Sequence, residues 1–370
     1  TNGVPSQHAW GPNQTMTNCA FAIIKVIYNT NAGITSAGSL TAKISNSIYK
    51  PGDAIKDYML NERYGCAIPL NRIDTVSLDA LNDYSDELID YKPVGWSTGD
   101  PYSQTHRYRI NGPIDTSANC LDNLQRLVDS CDSWLQYSEL TGLWRVVMNK
   151  GYDQAPDAQT LNDLFLIDSS NLIGGIDISP LDLNETYNQV EVAYPNTYIK
   201  DQTDYQVIDL FTEDPEILSP NEAINRLNIT LPLVNNAVQA KYLAARRIYQ
   251  SREDLVIGFR LDFSGIQLEA GDIIRVTHEV YGWTNKLFRV STVAEEKDTE
   301  GNLSALVQAF EYNNDIYDDI IQDFRPSFNT GLVNPNVIDK PGTPTANVNP
   351  DSDGMVSSFT ITSSVPNFGT

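Results

Sequence analysis

The 370-residue sequence predicts a predominantly β, multidomain α+β protein, and three observations carry that reading. From Leu268 to Tyr317, three strand-like runs stand behind polar turns and lead into an acidic, tyrosine-marked segment. Alternation of apolar and polar residues recurs near both ends of the chain. Helical spacing is confined to four segments. Hydrophobic residues at 41% and charged residues at 20% are ordinary for a folded protein. The length accommodates two to four domains, each with its own core.

Residues 1–48 read as β: CAFAIIKVIY, a polar loop, then SLTAKIS. At Ala54–Gly65 the period changes. Ile55, Met59 and Leu60 share a helical face, and Gly65 suits a C-terminal cap. A second helix is expected over Leu78–Ile89, with Leu78, Leu81, Tyr84 and Leu88 at helical spacing. HRYRINGPID is expected to be a strand turning at Asn111-Gly112. Helix Ala118–Cys131 follows, with Cys120, Leu121, Leu124, Leu127, Val128 and Cys131 on one stripe. SWLQYSELTGLWRVVMNK reads as two strands joined near Thr141-Gly142. This strand, helix and hairpin imply a small α+β domain over 49–160, with helices covering one face of a sheet. Trp134 and Trp144 are then core or hairpin-pair residues rather than ligand platforms.

From 161 to 326 the chain is mainly β. Strands are expected at Asn188–Tyr194, Tyr205–Phe211, Arg226–Leu231, Leu255–Phe263, Asp272–His278, Phe288–Ala294 and Ser304–Glu311. One alanine-rich helix interrupts them at Ala237–Gln250, after two asparagines suited to N-capping. Its Lys241, Arg246 and Arg247, with nearby Arg252, form a dense basic cluster, read as a solvated face or one paired with acidic neighbours. Residues 327–344, with Asp339-Lys340-Pro341-Gly342-Thr343-Pro344, read as a linker. The final 345–370 alternate like the first hairpin of a β-sandwich and are too few to complete one. Starting at Thr1 and ending as abruptly, the sequence reads as an internal piece of a longer protein.

The net charge of −23 is uneven: residues 151–230 hold 15 acidic and 2 basic side chains. Such a chain is a poor nucleic-acid binder, because that binding rests on lysines and arginines displacing phosphate counterions. It reads as a solubilising surface, or as a wall that DNA passes without sticking. The longest apolar run, Phe21–Tyr28, has strand length and is far short of the roughly 18–20 residues that span a bilayer. Cys19, Cys66, Cys120 and Cys131 lack metal-ligand spacing. On one helix, Cys120 and Cys131 would sit about 16 Å apart along the axis, beyond disulfide reach. Free core thiols in a reducing cytoplasm are expected.

Chemical motifs are scarce, and no catalytic, cofactor-binding or metal residues are expected. His8, His106 and His278 have no nucleophile, metal or phosphate motif around them. Asn349-x-Asp351-x-Asp353-Gly354 opens like a calcium loop, but its twelfth position is Thr360 rather than the bidentate glutamate, so a polar turn is the better reading. Asp315, Asp318 and Asp319 could face a hard cation; a solvated segment end is the default. Sequons at Asn13, Asn184, Asn228 and Asn302 matter only in a eukaryotic secreted protein.

Several segments occur in an order that resembles the central tail-hub or tip attachment proteins of long-tailed bacteriophages, the lambda host-specificity protein family. Tyr58 to Gly65 closes a helix with NERYG, RYRINGPID precedes a helix, and GLWRVV closes the α+β module. DLNETYNQVEVAY (Asp182–Tyr194), the GDIIRV…FRV…AFEYNNDIYD succession and KPGTPTA follow. No single motif is specific; the ordered set over roughly 48–345 carries the likeness. It implies a structural virion protein rather than an enzyme, located at the tail tip and made in the bacterial host cytoplasm. The family forms a homotrimeric ring that closes the tube. Partners implied are the tail tube and distal tail proteins, the tape-measure protein, phage DNA passing through the lumen, and a host receptor reached through downstream modules. In these terms, 1–48 would end an N-terminal hub domain, 161–326 would be the hub β-barrel, and 345–370 would begin a fibronectin type III-like domain. Two rival classes are a surface adhesin with fibronectin-like modules and a polysaccharide-cleaving enzyme using paired carboxylates. An upstream export signal would favour the first; release of sugar from envelope polysaccharide would favour the second.

Overall fold

A computed structural model describes residues 29, 36, 44–180, 185–253, 255–297, 301–319, 321–323, 345–350 and 356–362. The chain divides into two units, Thr1–Ser47 and Ile48–Thr370. The expected N-terminal β segment lies almost wholly outside the described residues, and the 327–344 linker entirely so.

The second unit opens with α1 (Pro51–Leu60), which starts on a proline pre-set for the first turn. The helix stops at Leu60 because Asn61 Oδ1 accepts from the backbone of Arg63 and Tyr64, and the chain doubles back. Cys66 N then donates to Tyr58 O and Ile68 N to Met59 O, at 2.9 and 2.8 Å. Gly65 is therefore not the cap expected of it. It lies so near the helix that a Cβ there would meet Tyr58 O at 1.9 Å, so only glycine fits.

Helix α2 (Thr75–Asp86) begins earlier than its apolar spacing predicts, since Asp74 caps it by accepting from Val76 N and Ser77 N. It also ends earlier. Leu88 and Ile89, expected on the helix, belong to β1 (Leu88–Lys92), which pairs with β2 (Ser103–His106). The expected RYRINGPID strand is not one. Tyr108 and Ile110 are buried, and their segment is held by long-range bonds, Ile110 N to Tyr49 O and Asn111 N to Leu233 O. Gly112 is required there by the approach of Pro232 and Leu233.

Helix α3 (Cys120–Asp129), capped by Asn119, is shorter than expected. Leu124, Leu127 and Val128 are buried, whereas Leu121 and Cys120 are exposed, and Cys131 lies past the helix end. The hairpin of β3 (Ser133–Ser138) and β4 (Leu143–Met148) is as read, turning through Gly142 at φ +71°, with Tyr137 edge-on to Trp144. The helices do not cover one shared sheet, however. β3–β4 is a separate two-stranded sheet, and β1–β2 forms another with β14 (Gln322–Asp323), parallel to β1.

Beyond residue 160 come β5 (Phe165–Ile167), β6 (Leu172–Pro180), β7 (Gln189–Asn196), β8 (Gln202–Asp209), the one-turn α4 (Leu210–Glu213) and β9 (Arg226–Thr230). Helix α5 (Ala237–Gln250) has the predicted limits, with Asn236 accepting from Val238 N. β10 (Leu255–Leu261), β11 (Ile273–His278), β12 (Trp283–Lys297) and β13 (Leu303–Glu311) follow. The short β5 and the glycine-interrupted β6 carry too little apolar alternation to be read from sequence.

Two hydrophobic cores result, and they divide the expected 161–326 barrel. Val190, Val192 and Tyr194 of β7, Ile208 of β8 and the alanine face of α5 join the core of Ile55, Leu78, Leu81 and Leu127. Small side chains at Ala240 and Ala244, both fully buried, let α5 lie close to the β8–β7–β9 sheet. Each buried leucine or isoleucine contributes roughly 1.5–3 kcal/mol to this core.

The second core lies within a six-stranded sheet ordered β5-β11-β12-β13-β10-β6, with Ile257, Phe259, Ile274, Phe288, Val290 and Val307 inside. The sheet is open: β5 and β6 are its outer strands and share no ladder among the described residues. It is nonetheless rolled. Laid flat, six strands would set the outer pair about 24 Å apart, whereas the five Cα steps from Ile167 to Leu172 span at most about 17 Å. Asn171 sits at the gap: its Nδ2 donates to Leu166 O on β5, and its backbone O accepts from Asp262 N just beyond β10. Tyr281 OH reaches Ile176 O on β6 from the β11–β12 turn, at 3.1 Å. Register shifts at Val290/Thr292 and Phe259/Arg260 supply the local twist. At the far end, β15 (Thr345–Pro350) and β16 (Val356–Thr362) form an antiparallel hairpin; Asp351, Asp353 and Gly354 between them lie outside the described residues.

Candidate functional site

The most densely organised polar feature is a buried junction of arginines and tyrosines that ties the two cores together. Arg107 follows β2, Tyr84 lies on α2, and Tyr242 and Arg246 stand one turn apart on α5. Arg289 projects from β12, and Tyr312, Tyr317 and Asp319 come from the segment that leaves β13. Arg246 Nη2 donates to Tyr84 OH and Tyr242 OH at 2.9 and 2.6 Å. Its Nη1 bonds Asn149 O and lies 3.5 Å from Asp132 Oδ2, with both side chains of the ion pair only 2% exposed. Asp132 is held in a left-handed conformation, φ +47°, between α3 and β3, and Asn149 Nδ2 donates to it.

Arg107 stacks over the Tyr84 ring at 4.4 Å and grips Asp319 with both terminal nitrogens, at 2.5 and 2.9 Å. Tyr242 OH donates to the same carboxylate at 2.7 Å. On the opposite side, the Arg289 guanidinium lies among the rings of Trp134, Tyr312 and Tyr317, 4.9 to 5.4 Å from their centroids. Tyr312 and Tyr317 stack on each other at 5.2 Å, and Tyr317 OH donates to Asn149 Oδ1 at 2.8 Å. The acidic AFEYNNDIYDD finish is thus not a wholly solvated end. Asp315 and Asp318 are exposed, but Tyr317 is buried and Asp319 closes an ion pair.

Burial pushes Tyr84, Tyr108 and Tyr242 above the ordinary tyrosine range. Burial opposes the charges on Arg107 and Arg246, yet the surrounding phenols and carboxylates outweigh it and hold both guanidiniums protonated. Burial likewise works against the charge on Asp319, but Arg107 and Tyr242 keep its carboxyl below the usual range. Each of these shifts moves its group away from neutral pH, so they lock protons in place rather than transfer them. The junction is a fastening.

The basic cluster on α5, expected to be solvated or paired with acidic neighbours, is paired with carboxylates throughout. Arg246 is buried. Lys241 pairs with Glu213 at 3.3 Å, and Arg247 lies 3.8 Å from Asp129. Arg252 makes a two-pronged pair with Glu222, at 2.6 and 3.0 Å, and Asn188 Nδ2 and Ser219 N donate to the same carboxylate. Arg252, the largest influence, draws the Glu222 pKa down to about 2 from the ordinary 4.5. A depressed carboxyl stabilises the fold above its unfolded pKa and loses that contribution as pH falls through the folded one. Glu222→Gln is therefore expected to cost about 2 kcal/mol at pH 7. That deficit should close between about pH 5 and 2, as read by urea midpoints across that range. A constant deficit would refute the assignment.

His106 Nδ1 lies 3.0 Å from Asp86 O and His278 stacks on Tyr281 at 4.8 Å, while His8 lies outside the described residues. Among the described residues no cluster of three or more potential ligands could hold a metal ion, and no helix is long and apolar enough to cross a membrane. Sequence reasoning missed the junction because its bonded partners lie far apart in the chain, Arg107 and Asp319 by 212 residues. The one local signal was the pair Tyr242 and Arg246, one turn apart on an alanine-rich helix.

Comparison with known proteins gives this scaffold a context. Residues 122–293 match the family described as "Putative phage tail protein". The chain is similar to the baseplate hub protein pb3 of Escherichia phage T5, 24% identical over 336 residues, covering 83% of this chain and 33% of that protein. It therefore spans about a third of that relative's length. Among solved structures, a chain of the native gene transfer agent virion aligns with TM-score 0.42 and 18% identity, over 60% of this chain and 45% of that one. A tail protein from Neisseria meningitidis MC58 aligns at 0.41 and 14%, over 59% and 62%. The resemblance to phage tail-hub and tip proteins read from the ordered motifs is shown by these matches. These relatives place the protein in the tail of the virion.

Proposed function

We propose that this chain is a structural part of the central hub at the distal end of the tail tube. Three copies close the DNA channel there and connect it to distal receptor-binding modules. The observation that carries the reading is the alignment with a baseplate hub protein along 83% of this chain. The junction supports it: a conduit under mechanical load gains from two cores riveted by charge-assisted bonds and stacked rings. Domains in this reading are an α+β domain over 49–160, a rolled hub sheet within 161–326, a linker over 327–344 and a fibronectin type III-like start at 345–370. The chain carries no catalytic role in it, and its partners are two further copies, tail tube, tape-measure and distal tail proteins.

Part of the acidic excess of 151–230 is proposed to line the lumen, where carboxylates repel passing phosphates over a Debye length of about 8–10 Å. Reconstruction of intact particles is the test. Threefold density for this chain at the tail end, with those carboxylates inward, is the expected result. Another symmetry, or a position away from the tube axis, would overturn the hub reading; outward carboxylates would overturn the lumen assignment alone.

A further inference from the structure

Two of the thiols that the sequence left as unconnected core cysteines are neighbours. Cys66 follows Gly65 on the segment that doubles back beneath α1, and Cys120 is the first residue of α3, 54 positions later. Cys120 Sγ lies 3.5 Å from Gly65 O, which sets its thiol against the residue next to Cys66, near enough for the two thiols to perturb each other. Cys120 is exposed, Cys66 half-buried, and Cys131 fully buried elsewhere in the core. The backbone around Cys66 is pinned at 2.9 Å to Tyr58 O, and α1 packs against α3, so the two sulfurs are presented by fixed elements.

We propose that Cys66 and Cys120 are a dithiol that closes to an intramolecular disulfide when the virion leaves the reducing cytoplasm, stapling the NERYG turn to the start of α3. The cell keeps thiols reduced during assembly, whereas the released particle meets oxidising surroundings. With a small-molecule disulfide as oxidant, the exposed Cys120, as thiolate, attacks one sulfur and expels a thiolate, leaving a mixed disulfide. Cys66 then loses its proton to water and attacks Cys120 Sγ, expelling the second thiolate. Two protein thiols become one disulfide, and the oxidant is reduced to two thiols. The order follows from the site: burial, with the adjacent Cys120 thiol, pushes the Cys66 thiol up to about 12, so it does not begin the exchange.

Purified full chain equilibrated with excess oxidised glutathione tests this by non-reducing tryptic mapping. The expected product joins the peptide 64–72 to the peptide 110–126 and disappears with dithiothreitol, while Cys131 stays reduced. Oxidation should raise Tm by roughly 5 °C, and Cys66→Ser should abolish that rise, leaving a glutathione adduct on Cys120. Separate adducts on both cysteines, or two free thiols after prolonged oxidation, would overturn the proposal. Because the map is made on the unaltered chain, the result does not depend on the variant folding.

Discussion

Arg246→Ala is expected to destabilise the protein by about 3–5 kcal/mol, enough to render much of it insoluble. The substitution leaves the Asp132 carboxylate, 2% exposed, without its buried cationic partner, and removes the donor to Tyr84 OH, Tyr242 OH and Asn149 O. An unpaired buried charge costs far more than the net worth of the pair. Urea denaturation monitored by tryptophan fluorescence reads this directly. Arg247→Ala is the control on the same helix: its side chain is 37% exposed and its ion pairs are long, so the loss should stay below about 1 kcal/mol. The double variant Arg246→Met with Asp132→Asn should recover part of the loss, because it removes both charges and keeps much of the volume. An Arg246→Ala midpoint equal to that of the unaltered chain would show that the junction fastens nothing.

Tyr317→Ala is expected to cost about 3–5 kcal/mol and to loosen one core from the other. The ring is buried between Tyr312, Arg246 and Arg289, and its hydroxyl joins Asn149 to Gln250. Removing it frees the segment that carries Asp319 to Arg107 and β14 to β1. Limited proteolysis should therefore cut within 312–323 at low protease, where the unaltered chain resists. Tyr317→Phe keeps the stack and loses only the hydroxyl bonds, so a loss near 1 kcal/mol is expected. Equal resistance of Tyr317→Ala and the unaltered chain would mean that the two cores are held by other contacts, such as Arg145 with Glu269.

Elements with a strong local signal were legible. The limits of α5 follow from alanine, apolar spacing and an asparagine cap, all within its own residues. The β3–β4 hairpin and strands β7 to β13 likewise show in alternation and turn residues, with their ends displaced by a few positions. Elements whose limits depend on distant partners were not. The RYRINGPID segment has strand-like residues, but its backbone groups bond to Glu87, Tyr49 and Leu233 instead of to a neighbouring strand. Leu88 and Ile89 fit a helical face and yet are strand, because β2 pairs with them. The apolar stripe assigned to α3 extended over Cys120 and Leu121, which are exposed, since only α1 and β3 decide which side of that helix is covered.

The Leu268–Tyr317 run and the ordered motifs were sufficient, by sequence alone, to determine a predominantly β, multidomain architecture and a resemblance to phage tail-hub proteins. Both rest on patterns of period and order that survive without knowledge of contacts. Which segments share a core was settled only in three dimensions. The β7–β9 sheet and α5 join the α+β module, and the remaining strands roll into an open sheet. The acidic tail of that sheet, solvated by composition, turns back so that Tyr317 and Asp319 meet Arg107, Arg246 and Arg289. The physical reason is that burial of a charge is decided by its partners. An arginine on a helix reads as surface until tyrosines and carboxylates from three other segments, far apart in the chain, make its desolvation affordable.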